Sequence, residues 1–247
     1  MKIDLVVGFY RQEHVWPLIA WGISGNLDTI HRVILVNDEP WTPSSRASVE
    51  AVARNYENFP PLVLLDHAHE GFGAHRCVRQ GAKAVKTGWW AHMDGDIILA
   101  PASLSKIASE PERGIMRCGL SHDLEDDVTL AQVQSEPVVK RHDEREGRTV
   151  GTWKDARDLY IFSHKDYYFA IGGHDADFPG YGFVDYDVAM RWLMHFGPES
   201  IEICNSAHSY HIGGLRPKHD SDPGNQDLFM STANRFSAWA SKQRSGS

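Results

Sequence analysis

Short apolar runs alternate with amphipathic segments along the first half of the chain. Four runs of five to seven residues are almost continuously apolar, which is typical of strands buried on both faces of a sheet. They cover residues 3–9, 32–37, 62–66 and 89–93. Between them, residues 44–56 and 74–85 carry apolar side chains at helical spacing. Strands that alternate with helices predict βαβ units, an α/β fold and a mainly parallel central sheet flanked by helices.

The second half of the chain is less regular. Residues 159–163 and 201–204 predict two further strands, and residues 185–196 predict a helix. Residues 213–227 are rich in turn-forming residues, so they predict a loop. The polar tail 241–247 predicts disorder. The sequence shows no internal repeat and no linker-like stretch, which favours a single domain.

Composition and charge exclude several classes of protein. Of the 247 residues, 42% are hydrophobic and 23% charged, which excludes a disordered, collagen-like or coiled-coil protein. A net charge of −8 gives the chain no overall electrostatic footprint for nucleic acid. Its three scattered cysteines fit neither a disulfide framework nor a zinc cluster. The longest uncharged apolar stretch, 15–27, is shorter than the ~20 residues of a membrane span. We therefore expect a cytoplasmic protein with no integral membrane segment.

Two acidic residues, Asp94 and Asp96, follow the fourth predicted strand. Open α/β sheets bind their ligands at the carboxyl ends of the strands, which is where this pair falls. Carboxylate oxygens suit hard divalent cations such as Mn²⁺ and Mg²⁺, which also bridge to diphosphates. Gly95 between the two acids permits a tight turn. The Asp-x-Asp pattern occurs at three other places in the chain, so its position after a strand is what indicates a metal site.

A glycine-rich and aromatic segment leads into the helix predicted at 185–196. Residues 171–191 read IGGHDADFPGYGFVDYDVAMR, and their glycines frame a loop. Asp185 would lie at the N-terminus of the helix, where the helix dipole keeps a carboxylate ionised at neutral pH. This suits a general base that deprotonates an acceptor hydroxyl, but an Asp at this position can also simply cap the helix. Asp187 would point to another face, so the two acids would not act as a pair.

These segments, in this order, resemble the GT-A fold glycosyltransferases, especially the inverting family 2 enzymes and the galactosyltransferase C-terminal type. The resemblance covers about residues 3–212, with a poor match between 119 and 155. It rests on Phe9-Tyr10-Arg11, on Val36-Asn37-Asp38, on the small residues and Arg of 73–81, on Met93 to Asp96 and on 172–185. It implies a single GT-A domain over residues 1–240, with a nucleotide-binding half over about 1–100 and an acceptor-binding half over about 101–240.

The resemblance also implies roles for individual residues. It implies that the nucleotide-sugar donor is bound by Phe9, Tyr10, Arg11, Asp38, Arg76 and Asp94. It implies that Mn²⁺ or Mg²⁺ is held by Asp94, Asp96 and His211. His211 is favoured over His208 because it lies just before Gly213-Gly214. Asp185 would be the catalytic base. The acceptor would be bound by His174, Tyr181 and Gly182.

The resemblance thus implies a metal-dependent inverting hexosyltransferase. It would move a sugar from a nucleotide-diphosphate donor, with UDP the favoured nucleotide, to a saccharide or other acceptor hydroxyl. Three alternatives stay open: a glycosyltransferase acting on a modified nucleic-acid base, a sugar-phosphate nucleotidyltransferase and a non-catalytic nucleotide-sugar-binding module. The nucleotidyltransferase would need a glycine-rich phosphate loop after the first strand, which residues 9–13 lack. A binding module would need no acid at position 185, and a base-modifying enzyme fits the acidic charge poorly.

Overall fold

A mixed β-sheet with helices on both faces forms the framework of the protein. The computed structural model describes residues 1–9, 13–67, 73–124, 139–141, 160–179, 182–212 and 223–245. Within these ranges the strands are β1 (Ile3–Phe9), β2 (Ile30–Asn37), β3 (Leu62–Asp66), β4 (Trp89–Asp94), β5 (Ile97–Leu99), β6 (Met116–Leu124), β7 (Val139–Arg141), β8 (Tyr160–His164) and β9 (Ile201–His211). The helices are α1 (Trp16–Ser24), α2 (Pro43–Arg54), α3 (Ala74–Ala84), α4 (Ser103–Ile107), α5 (Lys165–Ala170), α6 (Val184–Phe196) and α7 (Pro223–Ser245). The strands lie in the order β3-β2-β1-β4-β8-β6-β9-β5, and β7 pairs with β6.

The strands of the first half form a parallel group, as predicted. β1 lies between β2 and β4, and β3 pairs with β2, so that all four run in one direction. Their registers align Phe9, Asn37, Asp66 and Asp94 to within one residue. The carboxyl ends of the four strands therefore meet at one edge of the sheet. Because the loops after β2 and β4 begin at this edge, the acidic residues that follow the two strands lie there.

The sheet as a whole is mixed, and the prediction of a mainly parallel sheet is wrong for the second half of the chain. β8 runs antiparallel to both β4 and β6, β7 is antiparallel to β6, and β5 is antiparallel to β9. β6 and β9 are parallel. Alternating strands and helices predict direction only where a helix connects two neighbouring strands. The irregular second half carries no such signal.

Three helices expected from apolar periodicity are present. α2, α3 and α6 begin and end within two residues of the predicted bounds. The apolar pattern predicts no helix at α1, because the buried residues of α1 lie all round the helix and leave no apolar stripe. These residues are Trp16, Leu18, Ile19, Ala20, Gly22 and Ile23.

The C-terminal part of the chain is more regular than the sequence predicts. β9 continues to His211, well beyond the predicted end at residue 204. α7 begins at Pro223 and ends at Ser245, so the last part of the predicted loop and most of the predicted disordered tail are helical. The rest of that loop, 213–222, lies outside the described residues. None of the described helices, α7 included, is long and apolar enough to cross a membrane.

Two apolar layers cover the faces of the sheet. One includes side chains of α1, α2 and α4, such as Trp16, and the other includes side chains of α3, α5 and α6, such as Trp192. Val7 of β1 belongs to the first layer and Val6 to the second, as strand alternation requires. A Cβ atom added at Gly81 of α3 would lie 2.3 Å from Cγ1 of Val6. This close approach sets the height of α3 above the sheet and so positions the side chains that α3 sends to the site.

Candidate active site

Asp96 and His211 lie together beside the end of β4. The Nε2 atom of His211 lies 3.7 Å from Oδ2 of the buried Asp96. The pairing of β5 with β9 creates this contact, because it sets His211 beside Ile97 and lets the N–H of Ile212 donate to the carbonyl of Asp96 at 2.9 Å. His208 lies three residues earlier in β9, so it faces the opposite side of the strand. The structure therefore places His211 at the acidic motif.

Asp94, the third predicted metal ligand, is the half-buried last residue of β4. With Asp96 and His211 it supplies two carboxylates and one imidazole, an oxygen-rich set that suits Mn²⁺. The ligand atoms of these three residues do not all lie within 4.8 Å of one another, whereas those of another group of described residues do. Asp96 and His211 are thus in contact, and Asp94 is two residues from Asp96 in sequence. This fits a cation that takes its remaining ligands from a diphosphate.

Asp38, predicted to contact the nucleotide, holds the start of α3. It is buried, and its Oδ2 accepts a hydrogen bond from the N–H of Gly73 at 2.8 Å. Gly73 is the N-cap of α3, so the carboxylate lies at the positive end of the helix. The thiol of Cys77 donates to Oδ1 at 3.6 Å. Burial, and then the charge of Asp38, raise the pKa of this thiol, so Cys77 stays protonated. The structure shows a structural role for Asp38, and its contact with a nucleotide stays a prediction.

The first strand ends with its aromatic side chain in the core. The ring of Phe9 is 1% exposed and packs against Trp41 and Trp16, with centroid distances of 5.3 and 6.2 Å. Phe9 can therefore reach a nucleotide only through its backbone. The sequence resemblance could not tell a contact through the backbone from one through the side chain. Tyr10 and Arg11, predicted to bind the donor with it, lie outside the described residues.

Two arginines of α3 hold the segment that the sequence predicts as the acceptor loop. Arg76 donates through Nε to the carbonyl of Ala176 at 3.1 Å and through Nη2 to that of Phe178 at 3.3 Å. Arg79 donates to the carbonyl of His174 at 2.8 Å. Residues three apart share one face of a helix, and this spacing is the signal that could have found Arg79. The guanidinium of Arg76 thus lies on the acceptor segment, and its contact with the donor stays a prediction.

A chain of hydrogen bonds joins Tyr168, His174 and Asp185. The hydroxyl of Tyr168 lies 2.9 Å from Nδ1 of His174 and accepts the backbone N–H of His174, also at 2.9 Å. We assign the hydroxyl as the donor to Nδ1, which puts the ring proton of His174 on Nε2. Nε2 lies 3.3 Å from Oδ1 of Asp185. Burial, followed by the charge of Arg191, lowers the pKa of His174 to about 3, so a neutral imidazole holds the carboxylate.

Asp185 lies in the first turn of α6, with its side chain 37% exposed. The N-cap is Phe183, at a φ of 64°, so Asp185 is not the residue that caps the helix. A bulky residue at positive φ is strained, and such strain is common at functional sites. Asp187 turns away to an ion pair with Arg191 at 2.5 Å, which confirms that the two acids do not act as a pair. His174, predicted to bind the acceptor, is 2% exposed and contacts Asp185 instead.

Gly182, also predicted at the acceptor site, lies directly before this N-cap. Its φ of 98° lies in the region that favours glycine. Its carbonyl accepts a hydrogen bond from Nδ2 of Asn225 at 2.8 Å, so α7 holds the backbone that leads into α6. Tyr181, the remaining predicted acceptor residue, lies outside the described residues.

His92 of β4 is a buried member of this site that the sequence pattern does not predict. It is 4% exposed, and its ring meets that of His174 edge-on at a centroid distance of 5.6 Å. Burial, followed by the neighbouring His174, lowers the pKa of His92 to about 3. Ligand atoms of His92, His174 and Asp185 all lie within 4.8 Å of one another. The sequence signal is the position of His92 two residues before Asp94, on the same face of the strand.

Comparisons with known proteins find structural matches without sequence matches. No protein-family model matches the chain, and no curated protein has a similar sequence. The structure of GalNAc-T7 with UDP, GalNAc and Mn²⁺ matches with a TM-score of 0.62 and 13% identity, over 91% of this chain and 47% of that one. The structure of S. aureus TarS 1–349 matches with a TM-score of 0.62 and 13% identity, over 96% of this chain and 73% of that one. These neighbours are GT-A glycosyltransferases. The chain has the GT-A fold.

This GT-A domain spans about half the length of the GalNAc-T7 chain that it matches. At 13% identity the match shows the architecture, so the chemistry has to be argued from the residues of the site. In the GT-A domain, β4 connects two groups of ionisable residues. His92, which contacts the Asp185 group, is two residues before Asp94, which begins the acidic motif. Two residues of a strand span about 7 Å, so the backbone positions of His92 and Asp94 lie about that far apart.

Proposed function

We propose that this GT-A domain is an inverting glycosyltransferase that moves a hexose from a nucleotide-diphosphate sugar to an acceptor hydroxyl. The observation that supports this best is the contact of Asp185 with His174, at 3.3 Å, close to the strand that carries the acidic motif. A half-exposed carboxylate with a buried neutral donor behind it suits a general base. Neither a nucleotidyltransferase nor a binding module needs this arrangement.

The donor would lie at the carboxyl ends of β1, β2 and β4. The residues for the divalent cation are Asp94, Asp96 and His211, and a bound cation would stabilise the charge on the departing diphosphate. UDP and Mn²⁺ are the favoured pair, since both are present in the structure of GalNAc-T7. Asp38 and the backbone around Phe9 would contribute to the nucleotide site at the same edge.

Asp185 would take the proton from the acceptor hydroxyl while that oxygen attacks the anomeric carbon. The bond between the anomeric carbon and the diphosphate oxygen breaks as the new bond forms, which inverts the configuration. The N–H of His174 Nε2 holds Oδ1 of Asp185 and so fixes the orientation of the carboxylate. Arg76 and Arg79 would keep the acceptor segment around 172–178 in place through its carbonyl groups.

A panel of nucleotide sugars with Mn²⁺ tests this proposal. We expect one donor to give a transfer product of inverted anomeric configuration, identified by NMR. Asp185→Asn should lower kcat by about 10²–10⁴-fold, because proton transfer to a positioned base contributes that much. The matched control is Asp28→Asn, since Asp28 is an exposed carboxyl outside the proposed site. Retained configuration, or equal activity of the two variants, would contradict the proposal.

A further inference from the structure

The transfer mechanism makes no use of one buried side chain of the site, His92. Its ring contacts those of Trp90 and His174, at centroid distances of 5.8 and 5.6 Å. The side chains beside it are a second imidazole and a carboxylate.

We propose that His92, His174 and Asp185 form a transition-metal site, selective for an ion such as Zn²⁺, and that an ion bound there stops sugar transfer. The three ligands come from three separate elements: β4, the segment after α5 and the first turn of α6. Their ligand atoms lie within 4.8 Å of one another, and the two atoms of His174 and Asp185 lie 3.3 Å apart. The described residues hold one group of this kind.

The ligand set determines which ion the site would take. Two imidazole nitrogens and one carboxylate oxygen match the three-ligand zinc sites that keep a fourth position for water. Mg²⁺ and Mn²⁺ prefer oxygen ligands, so they would favour the more acidic group around Asp94 and Asp96. Burial keeps both imidazoles neutral, and a neutral imidazole is the form that binds metal.

The hydrogen bond from Tyr168 supplies the support that a metal-bound histidine needs. Metal-binding imidazoles almost always have their second nitrogen held by an oxygen, and Nδ1 of His174 lies 2.9 Å from the hydroxyl of Tyr168. To bind the ion through Nε2, His174 moves its ring proton to Nδ1, which then donates to the oxygen of Tyr168. The hydroxyl proton turns away from the ring, and no proton leaves the site.

Zn²⁺ at this position would bind the carboxylate of Asp185, which takes the proton from the acceptor hydroxyl. The inhibition therefore rests on the proposed function, but binding of the ion does not. Zn²⁺ would inhibit transfer while the donor still binds at the acidic motif. Excess Mn²⁺ would not reverse the inhibition, because the two ions bind different residues.

Calorimetric titration with Zn²⁺, in the absence of nucleotide, tests the site. It is done in the Asp96→Asn protein, so that the acidic motif cannot take the ion. We expect one Zn²⁺ per chain and, with Co²⁺, the visible absorption of a four-coordinate site. Adding Asp185→Asn should abolish both signals, and this residue is exposed enough for the variant to fold. Tyr168→Phe should weaken binding by about 10–100-fold. His31→Gln is the matched control, because His31 is exposed and distant in sequence from the three ligands. It should change neither signal.

Two results would overturn the site. One is the absence of Zn²⁺ uptake by the Asp96→Asn protein, and the other is equal affinity in the Asp185→Asn variant. A protein that binds Zn²⁺ at these residues but transfers no sugar from any donor would contradict the proposed function and leave the metal site standing. A protein that transfers sugar and binds no Zn²⁺ would do the reverse.

Discussion

The guanidinium of Arg79 donates a hydrogen bond of 2.8 Å to the carbonyl oxygen of His174. Helix α3, whose N-cap Gly73 donates to Asp38, thus holds the residue that positions the proposed base. Displacing a catalytic group by about 1 Å can cost about 10²-fold in rate. We expect Arg79→Met to lower kcat/KM for the acceptor by about that factor, measured at saturating donor.

The matched control for Arg79 is Lys83→Met, one helical turn further along α3 at an exposed position. This variant removes the same charge from the same helix without touching the acceptor segment. It should keep normal kcat/KM. Equal losses in the two variants would show that the charge of α3, and not the hold on His174, is what matters.

A buried ion pair between Asp4 and Arg32 links stability to acid pH. The side chains form two hydrogen bonds of 3.0 Å, and Asp4 also accepts backbone N–H groups of Lys86 and Thr87. Burial alone would raise the pKa of Asp4, but the hydrogen bonds and charge of Arg32 and these N–H groups outweigh it and lower the pKa. The stability that the ionised Asp4 contributes is therefore present above its ordinary pKa of 3.8 and is lost as the pH falls through its lowered pKa.

Breaking one partner of a buried pair typically costs about 3–5 kcal/mol. Asp4→Asn should therefore lower the free energy of unfolding by about that amount at pH 7, measured with urea. The difference from the wild type should shrink below pH 3.8. Asp28→Asn, at an exposed carboxyl nearby in the chain, should have little effect. A difference between Asp4→Asn and the wild type that does not change with pH would contradict this assignment.

The packing of α3 on β1 leaves no room for a side chain at Gly81. A Cβ there would lie 2.3 Å from Cγ1 of Val6 and 3.1 Å from Cγ2 of Val36. Overpacking costs about 1–3 kcal/mol, and contacts this short fall at the upper end of that range. The gain in helix propensity, about 1 kcal/mol, does not offset it. We expect Gly81→Ala to lower the urea midpoint.

Two further variants separate the close contact of Gly81 from other effects. Gly8→Ala adds a Cβ with no atom within 4 Å, so it should not show the same loss. Adding Val6→Ala to Gly81→Ala removes the methyl groups that collide, so the second change should cost less in the Gly81→Ala background than in the wild type. Additive losses would show that the two residues are not in conflict.

The parallel part of the sheet could be predicted from the sequence because a strand buried on both faces leaves a continuous apolar run. β1, for example, has the predicted bounds of 3–9 and is buried along almost its whole length. The contact of Asp96 with His211 could be anticipated only from the family resemblance, since the pairing of β5 with β9 creates it. Arg79 and His174 are 95 positions apart, and no local pattern reports such a contact. The burial of Phe9 likewise depends on Trp16 and Trp41, which the sequence does not place beside it.

A thermal-shift comparison of UDP with Mn²⁺ and UDP with EDTA tests the nucleotide-sugar transferase proposal most directly. A ligand at about 100 times its Kd adds about 2.7 kcal/mol to the free energy of unfolding, which raises Tm by roughly 5–11 °C for a domain of this size. We predict such a rise with UDP and Mn²⁺, its loss with EDTA and its loss in the Asp96→Asn variant. GDP, CDP and dTDP serve as comparison nucleotides. If no nucleoside diphosphate raises Tm with Mn²⁺, the edge formed by β1, β2 and β4 is not a donor site, and the proposed function is wrong.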